Sequence, residues 1–576
     1  MDFNFSTNST NIKSLFKKYT QFKIPVYQRA YTWEPYYYKM FLNDIIDSLP
    51  SKDTSAESNY FLGSLVFNGN TNDTIISVVD GQQRLTIITI ILSAIAKNMK
   101  LNGNAKKAAA TFRYVQDEDD NGNLINHLFS ESNSPFLESF ILSLNNKRAY
   151  KPATEEEELL QKTYEYFSKR LSSSEVNLSG EEYISWLSAV RDQILNSRVI
   201  EILTPNTVNA YKIFEILNAK GKELASIDLI KNIIFEAFYN NKENYESVAK
   251  TYWADIQSNL RQRKQSYGIS SFYRQYWLSK YKKVPNNKLY DSFKETFNES
   301  KDNDLAEEYI TFLNNLKIES ETFIKIVAPS MEDYDNRQQY YPLVQKLKNL
   351  AKVLPNKQYT VALLALMDAK NRKVLTLSEL TKATDFLENF IFMYTSMGSG
   401  QANIYENRFS HLAINLRNAM DKKAASKVLT DNLYNAFKDR IIDRDVFKKR
   451  FSTLSFSKKP NKDNLLSQYA IKKIGSLFNK QNYYPAGSSI EHIIPESDTS
   501  NITNELGNLI MLEKKINDEC KDLPYANKIV FYKNSTNAQV DKFLSHYSNF
   551  KKTDIAERTN ALAELYYDSI LLPNFN

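Results

Sequence analysis

The stretch SVVDGQQRLTIITIILSAIAKN, residues 77–98, joins a short strand-like run to one of the most apolar segments of the chain. The apolar residues from Leu85 onward recur at helical spacing, which predicts a buried helix directly after the strand. Between the two elements stand an acid, a glycine, two amides and a cation, from Asp80 to Arg84. This composition indicates a strand–helix junction that is suited to holding a ligand.

Two interpretations of residues 80–84 are open. In the first, Asp80 is the N-cap of the helix and Gln83 completes a capping box, so the stretch only starts a helix. In the second, Gly81 allows close approach of the backbone, and the helix N-terminus forms a phosphate site together with the guanidinium of Arg84. Capping does not require Arg84, and this favours the second interpretation.

Length and composition limit the class of protein. A chain of 576 residues exceeds what one hydrophobic core supports and predicts about two to four domains. Its net charge of +7, from 74 Lys and Arg against 67 Asp and Glu, permits a polyanionic partner without requiring one. Cys520 is the single cysteine, which excludes an intramolecular disulfide and a cysteine-based zinc site. The N-terminus does not read as a signal peptide and the apolar run 85–96 is too short to cross a bilayer, so we expect a soluble cytoplasmic protein.

The pattern along the chain predicts a mostly helical α+β protein. Strand-like apolar runs cluster in the first hundred residues and again after about residue 485, and the chain between them has helical periodicity with charged outer faces. The runs YFLGSLVF and TIISVV flank the turn-rich NGNTND, which predicts a β-hairpin.

A second Gln-Arg pair occurs in FKIPVYQRAYTWE, residues 22–34. Gln28 and Arg29 follow a proline and lie between aromatic residues. The alternative interpretation is a loop with an exposed Arg29 and a partly buried Trp33. Two Gln-Arg pairs, each at the end of a strand-like run, are what a nucleotide pocket needs if both converge on one triphosphate.

The motifs IPVYQRAYTWE, YFLGSLVF, VVDGQQRLTII and IFEILNAKGKELASIDLIKN together resemble the N-terminal domain of the GmrSD family of modification-dependent (type IV) restriction enzymes. In that family this is a ParB-like domain that binds and hydrolyses nucleotides. The resemblance covers roughly residues 10–235, with a weakly matching insert at about residues 100–200. It implies a pocket for a nucleoside triphosphate, with GTP as one candidate, and a part for Asp80 in hydrolysis. The pocket residues that it implies are Gln28, Arg29, Asp80, Gly81, Gln82, Gln83 and Arg84.

The second chemical centre lies in SSIEHIIPESDTSNITNELGNLIMLEKKIN, residues 488–517. Of the four histidines in the chain, only His492 stands beside a carboxylate, Glu491, in a strand-like run that stops at Pro495. Phosphodiester hydrolysis needs a base that activates water and a divalent cation that neutralises charge on the phosphate. The side-chain oxygens of Glu491 and Asn517 suit Mg²⁺, a hard cation. By itself, EHIIP is also compatible with a buried strand that has one polar edge.

The spacing of this segment matches a strand, strand, helix order. Asn508 follows His492 by 16 residues in the strand-like LGNLIML, and Asn517 follows nine residues later at the expected start of a helix. The segment resembles the HNH endonuclease motif, a ββα-metal motif, in the C-terminal domain of the same family. That resemblance implies that Glu491 and Asn517 are metal ligands. It also implies that His492 is the general base and that Asn508 orients it.

Other parts of the C-terminal region match the family less closely. The segment IAERTNALAELYYDSI resembles the closing helix of that domain, and the resemblance implies that Arg558 lies near the phosphate. The family's usual Tyr and Lys after the second Asn are only loosely matched by LPYANKIVFYKNS. No role is therefore assigned to Tyr525 or Lys528.

Two basic stretches are candidate DNA contacts. NLRQRKQSYGISSFYRQYWLSKYKK, residues 259–283, interleaves basic residues with Tyr273, Tyr276 and Trp277, which could stack on bases. KDRIIDRDVFKKRFSTLSFSKK, residues 438–459, leads into the nuclease segment. For each stretch, a solvated helix face with core aromatics is the alternative.

We therefore predict a ParB-like α/β nucleotide-binding domain over residues 1–235, a helical middle region over 236–430, and an HNH endonuclease domain set among helices over 431–576. The expected function is that of a nucleotide-regulated DNA endonuclease of the type IV class, dependent on Mg²⁺ or another divalent cation, which cuts modified foreign DNA in antiviral defence. A homodimer is compatible with this prediction, and a membrane partner is not expected. Two alternatives stay open: a phosphorothioate-sensing DNA-nicking NTPase, and a non-cleaving ParB-like DNA-binding switch.

Overall fold

The computed structural model describes residues 4–25, 31–49, 60–119, 121–130, 137, 141–144, 151–152, 154–206, 209–210, 213, 226–239, 245–261, 263, 267–298, 305–354, 357–398, 405–457, 459, 464–479, 487–497 and 501–575. The chain divides into two compact units. The first comprises residues 1–254 and 290–313, and the second comprises residues 255–289 and 314–576. The predicted division after residues 235 and 430 stays a prediction.

The first unit contains a six-stranded mixed sheet with the strand order β1-β8-β3-β4-β2-β7. The strands are β1 (Ser6–Asn11), β2 (Gln21–Ile24), β3 (Phe61–Asn68), β4 (Ile75–Asp80), β5 (Gln116–Glu118), β6 (Leu124–Asn126), β7 (Leu128–Ser130) and β8 (Arg198–Thr204). Strands β5 and β6 form a separate antiparallel pair. Strands β3 and β4 are antiparallel neighbours, which confirms the predicted hairpin.

Strand direction determines which ends of the strands meet. Strand β2 is parallel to β4, with Phe22 opposite Ile76, so the carboxyl ends of these two strands lie at the same edge of the sheet. Strand β7 is parallel to β2. The end of β4 at Asp80 and the end of β2 at Ile24 therefore share one edge.

The helices before residue 330 are α1 (Ile12–Lys18), α2 (Pro35–Asp47), α3 (Gln82–Leu101), α4 (Ala105–Phe112), α5 (Glu155–Arg170), α6 (Ser173–Val176), α7 (Gly180–Asn196), α8 (Ser226–Tyr239), α9 (Tyr245–Leu260), α10 (Ile269–Lys280), α11 (Leu289–Asn298) and α12 (Leu305–Val327). Those after it are α13 (Tyr341–Lys352), α14 (Thr360–Asn371), α15 (Leu377–Ile391), α16 (Glu406–Asn418), α17 (Lys422–Val428), α18 (Arg444–Phe451), α19 (Asn464–Phe478), α20 (Lys514–Cys520), α21 (Tyr525–Tyr532), α22 (Ala538–His546), α23 (Lys552–Tyr566) and α24 (Leu572–Phe575). The expectation of a mostly helical α+β protein is confirmed.

The sheet of the first unit is covered on both faces. Alternate residues of β4 face opposite sides: Ile76 and Val78 join the large core that contains α3, whereas Val79 packs in a smaller cluster with Ala210 and Ile213. Almost all of α3 is buried, as its apolar sequence predicts. The junction at Asp80 thus lies between a central strand and the central helix of this core.

The second unit contains a short antiparallel pair, β9 (Ser488–His492) and β10 (Leu509–Glu513), followed directly by α20. Its chain order is therefore the predicted strand, strand, helix. Whether this region adopts a ββα-metal (HNH) fold, and the first unit a ParB-like fold, stays a prediction. In the described part of the chain, no helix is both long enough and apolar enough to cross a membrane.

Candidate functional sites

The junction of β4 and α3 begins the helix without a side-chain cap. Gly81 is the N-cap, its φ is 100°, and no side chain accepts a cap hydrogen bond there. A Cβ at this position would lie 2.1 Å from Leu65 Cδ2, so the left-handed backbone and the close packing both require glycine. The Asp80 carboxylate instead accepts a hydrogen bond from Arg84 Nη2 at 3.0 Å. The capping-box interpretation is therefore wrong, because Asp80 bonds to Arg84 and not to the helix start.

Arg84 ties the hairpin to the helix. Besides its bond to Asp80, its Nη1 donates to the Leu62 main-chain oxygen at 2.8 Å. A Cβ at Gly63 would lie 2.7 Å from the same Nη1, so the guanidinium packs directly against β3. The Arg84 side chain is 21% exposed. Arg84 therefore joins β3, β4 and α3 while its side chain is only partly buried.

The two glutamines of the junction are buried. Gln83 Oε1 accepts a hydrogen bond from the Thr32 main-chain N–H at 2.9 Å. Strand β2 ends at the sheet edge where β4 ends at Asp80. Thr32, further along the chain, lies beside the first turn of α3. Gln28 and Arg29, predicted to complete this pocket, lie outside the described residues.

The strand pair of the second unit separates the acid from the histidine of the EHIIP motif. His492 pairs with Leu509, and Glu491 pairs with Ile510. Because successive side chains of a strand point to opposite faces, Glu491 and His492 face opposite sides of the pair. Both side chains are buried.

A main-chain carbonyl orients the His492 ring. His492 Nε2 lies 3.1 Å from the Phe456 oxygen, and the Phe456 ring lies 5.7 Å from the imidazole. A carbonyl only accepts, so a neutral ring in this contact donates its proton from Nε2. Phe456 is itself held by a bond from its N–H to the Asn504 oxygen at 2.8 Å. The sequence gives no signal of this contact, since it uses main-chain atoms 36 positions upstream.

Glu491 is half of a buried ion pair. Its Oε1 lies 2.6 Å from Lys528 Nζ, and Tyr532 OH donates to the same oxygen at 3.2 Å. Burial raises the pKa of Tyr532 well above its usual range, and the Glu491 charge adds to the effect. Burial likewise raises the pKa of Cys520 to about 12, again with a contribution from Glu491. The sequence interpretation did not include Tyr532 and left Lys528 without a role.

Asn508 acts on the main chain and not on the imidazole. Its Nδ2 donates to the Ile494 oxygen at 2.8 Å and to the Thr503 oxygen at 2.7 Å, and its Oδ1 accepts from the Ile494 N–H at 2.8 Å. The amide is fully buried. Asn508 therefore fixes the turn that directly follows His492.

Asn517 joins α20 to β9. Its Nδ2 donates to Ser489 Oγ at 2.9 Å and to the Ile490 oxygen at 2.8 Å. Ser489 and Glu491 lie on the same face of β9, because they are two residues apart. The structure thus brings the predicted metal ligands Glu491 and Asn517 to one face of the strand.

The donor set of this face fits a hard cation only in part. Among the described residues, no group of three or more His, Cys, Asp or Glu side chains could hold a metal ion. A carboxylate and an amide oxygen fit Mg²⁺, which usually keeps several waters and binds substrate phosphates. One carboxylate oxygen of Glu491 already contacts Lys528.

Arg558 and Gly507 connect α23 to the strand pair. Arg558 is buried and its Nη1 donates to the Leu509 oxygen at 3.0 Å; burial lowers its pKa to about 10. The guanidinium thus bonds to the backbone of β10, and its expected place near the phosphate stays a prediction. A Cβ at Gly507 would lie 2.0 Å from the Ile555 oxygen, so α23 approaches this turn as closely as a glycine allows.

The two basic stretches were candidate DNA contacts, and the structure shows where their side chains lie. Tyr273, Tyr276 and Trp277 are fully buried core residues, so the expectation that they stack on bases is wrong. Arg274 pairs with Glu406 at 2.5 Å. In the second stretch, the Lys448 ammonium lies 2.5 Å from Glu564. Its neighbours Lys449 and Arg450 are exposed.

The comparisons with known proteins identify both ends of the chain. Residues 12–235 match the N-terminal domain of the GmrSD restriction endonuclease. Residues 421–565 match the C-terminal domain of GmrSD restriction endonucleases. No curated protein matches the chain. The two matched domains together span more than half of the chain, which therefore belongs to the GmrSD family of restriction endonucleases, enzymes whose substrate is DNA.

Proposed function

We propose that this nuclease is a nucleotide-regulated, Mg²⁺-dependent DNA endonuclease of the type IV restriction class, which cuts modified foreign DNA in antiviral defence. Its nuclease centre would be of the HNH type. The observation that carries the proposal is the unit formed by β9, β10 and α20, in which Asn508 fixes the turn after His492 and Asn517 holds β9.

His492 is the general base of the proposed reaction. With its Nε2 proton directed at the Phe456 oxygen, the ring would take a proton from the attacking water at Nδ1, and the imidazolium that forms would still donate from Nε2 to that oxygen. Asn508 keeps the ring in place through the turn that it fixes. Glu491 and Asn517 would hold the divalent cation with their side-chain oxygens, on the face of β9 opposite to the His492 side chain. When bound, that cation would neutralise the negative charge that develops on the phosphate during the reaction.

The junction of β4 and α3 is the proposed nucleotide site. Three features support it: the shared edge of β2 and β4, the N-terminus of a buried helix, and the partly exposed side chain of Arg84. The left-handed Gly81 keeps a side chain away from the helix start. Asp80 would take part in hydrolysis, Gln82 and Gln83 would line the pocket, and Gln28 and Arg29 would complete it.

One experiment tests the function as a whole. The purified protein is incubated with unmodified DNA, with DNA that contains glucosylated hydroxymethylcytosine and with phosphorothioate DNA, each with and without Mg²⁺ and each nucleoside triphosphate. We expect double-strand cleavage of base-modified DNA that requires Mg²⁺ and depends on the triphosphate. Nicking controlled by phosphorothioate would support the alternative NTPase instead. Binding without cleavage under all conditions would contradict the proposal.

A further inference from the structure

Lys528 bonds to both residues of the acid–histidine pair. Its Nζ lies 2.6 Å from Glu491 Oε1 and donates to the main-chain oxygen of His492, also at 2.6 Å. The Lys528 side chain is 1% exposed. An ammonium this deeply buried is costly unless it is paired, so its two bonds define where the end of β9 lies.

These bonds complement the contacts on the other side of the strand. The His492 ring is held from one face by the Phe456 oxygen, and its main chain is held by Lys528. Because both the main-chain oxygen and the ring of His492 are held, the imidazole has little freedom to rotate. The sequence segment that carries Lys528 lies on α21, which follows the strand–strand–helix unit.

We propose that Lys528 is a positioning residue of the nuclease centre, which holds the Glu491 carboxylate and the His492 main-chain oxygen so that the imidazole keeps its bond to the Phe456 oxygen. The inference rests on the proposed nuclease function. Because the Lys528 side chain is buried and bonds to Glu491 and His492, it acts on the rate through His492 and not on DNA binding. Small displacements of a catalytic group have large effects on rate, since reaction requires near-attack geometry.

The test uses the full chain with Lys528→Met, which keeps the length of the side chain and removes its charge and hydrogen bonds. We expect kcat for cleavage to fall by about 10- to 100-fold while KM for DNA stays within about twofold. The control is Lys346→Met, because Lys346 is 6% exposed and forms a buried ion pair with Asp385 at 2.5 Å within the same unit. The control should leave kcat unchanged at a temperature where it is folded.

A second readout does not depend on activity. With only four histidines in the chain, ¹⁵N-labelled histidine gives few ring signals, and the His492→Ala variant assigns that of His492. We expect the wild type without metal to show the Nε2–H tautomer at His492 and Lys528→Met to show a mixture of tautomers. If Lys528→Met does not fold, the double variant Lys528→Met and Glu491→Gln avoids an unpaired buried carboxylate and should show the same mixture.

The outcomes separate the inference from the proposed function. An unchanged His492 tautomer together with an unchanged kcat would overturn the positioning role, and so would a kcat that rises because the ion pair had blocked the metal. If the wild type does not cleave DNA at all, the proposed function fails, but the ring signals of His492 still test what Lys528 does.

Discussion

The Nε2 atom of His492 lies 3.1 Å from the main-chain oxygen of Phe456, a residue 36 positions earlier in the chain. Phe456 belongs to the segment between α18 and α19, and its neighbour Ser455 pairs with Glu505 in an isolated β-bridge. The orientation of the proposed base therefore depends on residues outside β9, β10 and α20. A fragment limited to those three elements would lack the contact that selects the tautomer.

Loosening that segment should slow cleavage without weakening DNA binding. Ser457 Oγ donates to Glu496 in the loop after His492, so Ser457→Ala removes one bond that holds Phe456 in place. One hydrogen bond contributes about 1 kcal/mol, so we expect kcat to fall about fivefold at constant KM. Ser452→Ala is the control, since Ser452 lies in the same connection and its Oγ donates to Asn560 on α23 instead of to the loop after His492. Equal rates in the two variants would mean that the Ser457 bond does not position the base.

Loss of Asn517 should weaken binding of the metal. Asn517→Ala removes the amide oxygen, so the Mg²⁺ concentration for half-maximal cleavage should rise, together with a modest loss of stability from the lost bonds to β9. Ser489→Ala removes one of those bonds but no proposed ligand, and its metal titration should match that of the wild type. If both variants shift the titration equally, Asn517 only anchors α20. If neither shifts it, Asn517 is not a ligand.

Gly507 should tolerate no side chain. In Gly507→Ala the new Cβ would meet the Ile555 oxygen at 2.0 Å and the Thr559 N at 2.8 Å, both of which belong to the rigid backbone of α23. Overpacking of this kind costs about 1–3 kcal/mol or more, so thermal melting should occur at a clearly lower temperature. Gly268→Ala is the control, because a Cβ there meets no atom within 4 Å. Similar melting temperatures for the two variants would show that α23 does not pack against Gly507 as described.

Arg84 should contribute to nucleotide binding and to stability at once. Charge-assisted hydrogen bonds contribute roughly 1.5–3 kcal/mol, so Arg84→Ala should lower triphosphate affinity about tenfold or more. The melting temperature should fall as well, because Asp80 and the Leu62 oxygen lose their partner. Calorimetry at a temperature where the variant is folded measures the affinity.

The control for Arg84 is another partly buried arginine of the same unit. The Arg191 side chain is 19% exposed, compared with 21% for Arg84, and it pairs with Asp192 on α7. Arg191→Ala should leave triphosphate affinity unchanged. Equal affinities in the wild type and Arg84→Ala would remove the nucleotide site from the junction and leave Arg84 as a structural residue that joins β3, β4 and α3.

Local patterns account for the elements that the sequence predicted correctly. The hairpin of β3 and β4, the buried helix α3 and the order of β9, β10 and α20 follow from apolar periodicity and turn residues within short windows. For Tyr273, Tyr276 and Trp277 the sequence left base stacking and a place in the core as alternatives, and the structure confirms the core.

Contacts between distant segments account for what the sequence did not reveal. The start of α3 depends on the left-handed backbone of Gly81 and its packing against Leu65, so the capping pattern at Asp80 was misleading. The bond between His492 and Phe456 uses a main-chain atom, and the pair of Glu491 with Lys528 joins β9 to a helix beyond the motif. No local pattern encodes either contact.

The central claim is that His492 is the base of a metal-dependent nuclease, and one measurement tests it most directly. Cleavage of glucosylated hydroxymethylcytosine DNA is followed with Mg²⁺ and triphosphate for the wild type, His492→Ala and the control His546→Ala, which replaces an exposed histidine of the same unit. A general base contributes a factor of about 10²–10⁴ to the rate, so the cleavage rate of His492→Ala should fall by that factor. The cleavage rate of His546→Ala should stay near that of the wild type. Both variants should hydrolyse the nucleotide at about the wild-type rate. Cleavage by folded His492→Ala at the wild-type rate would contradict the account.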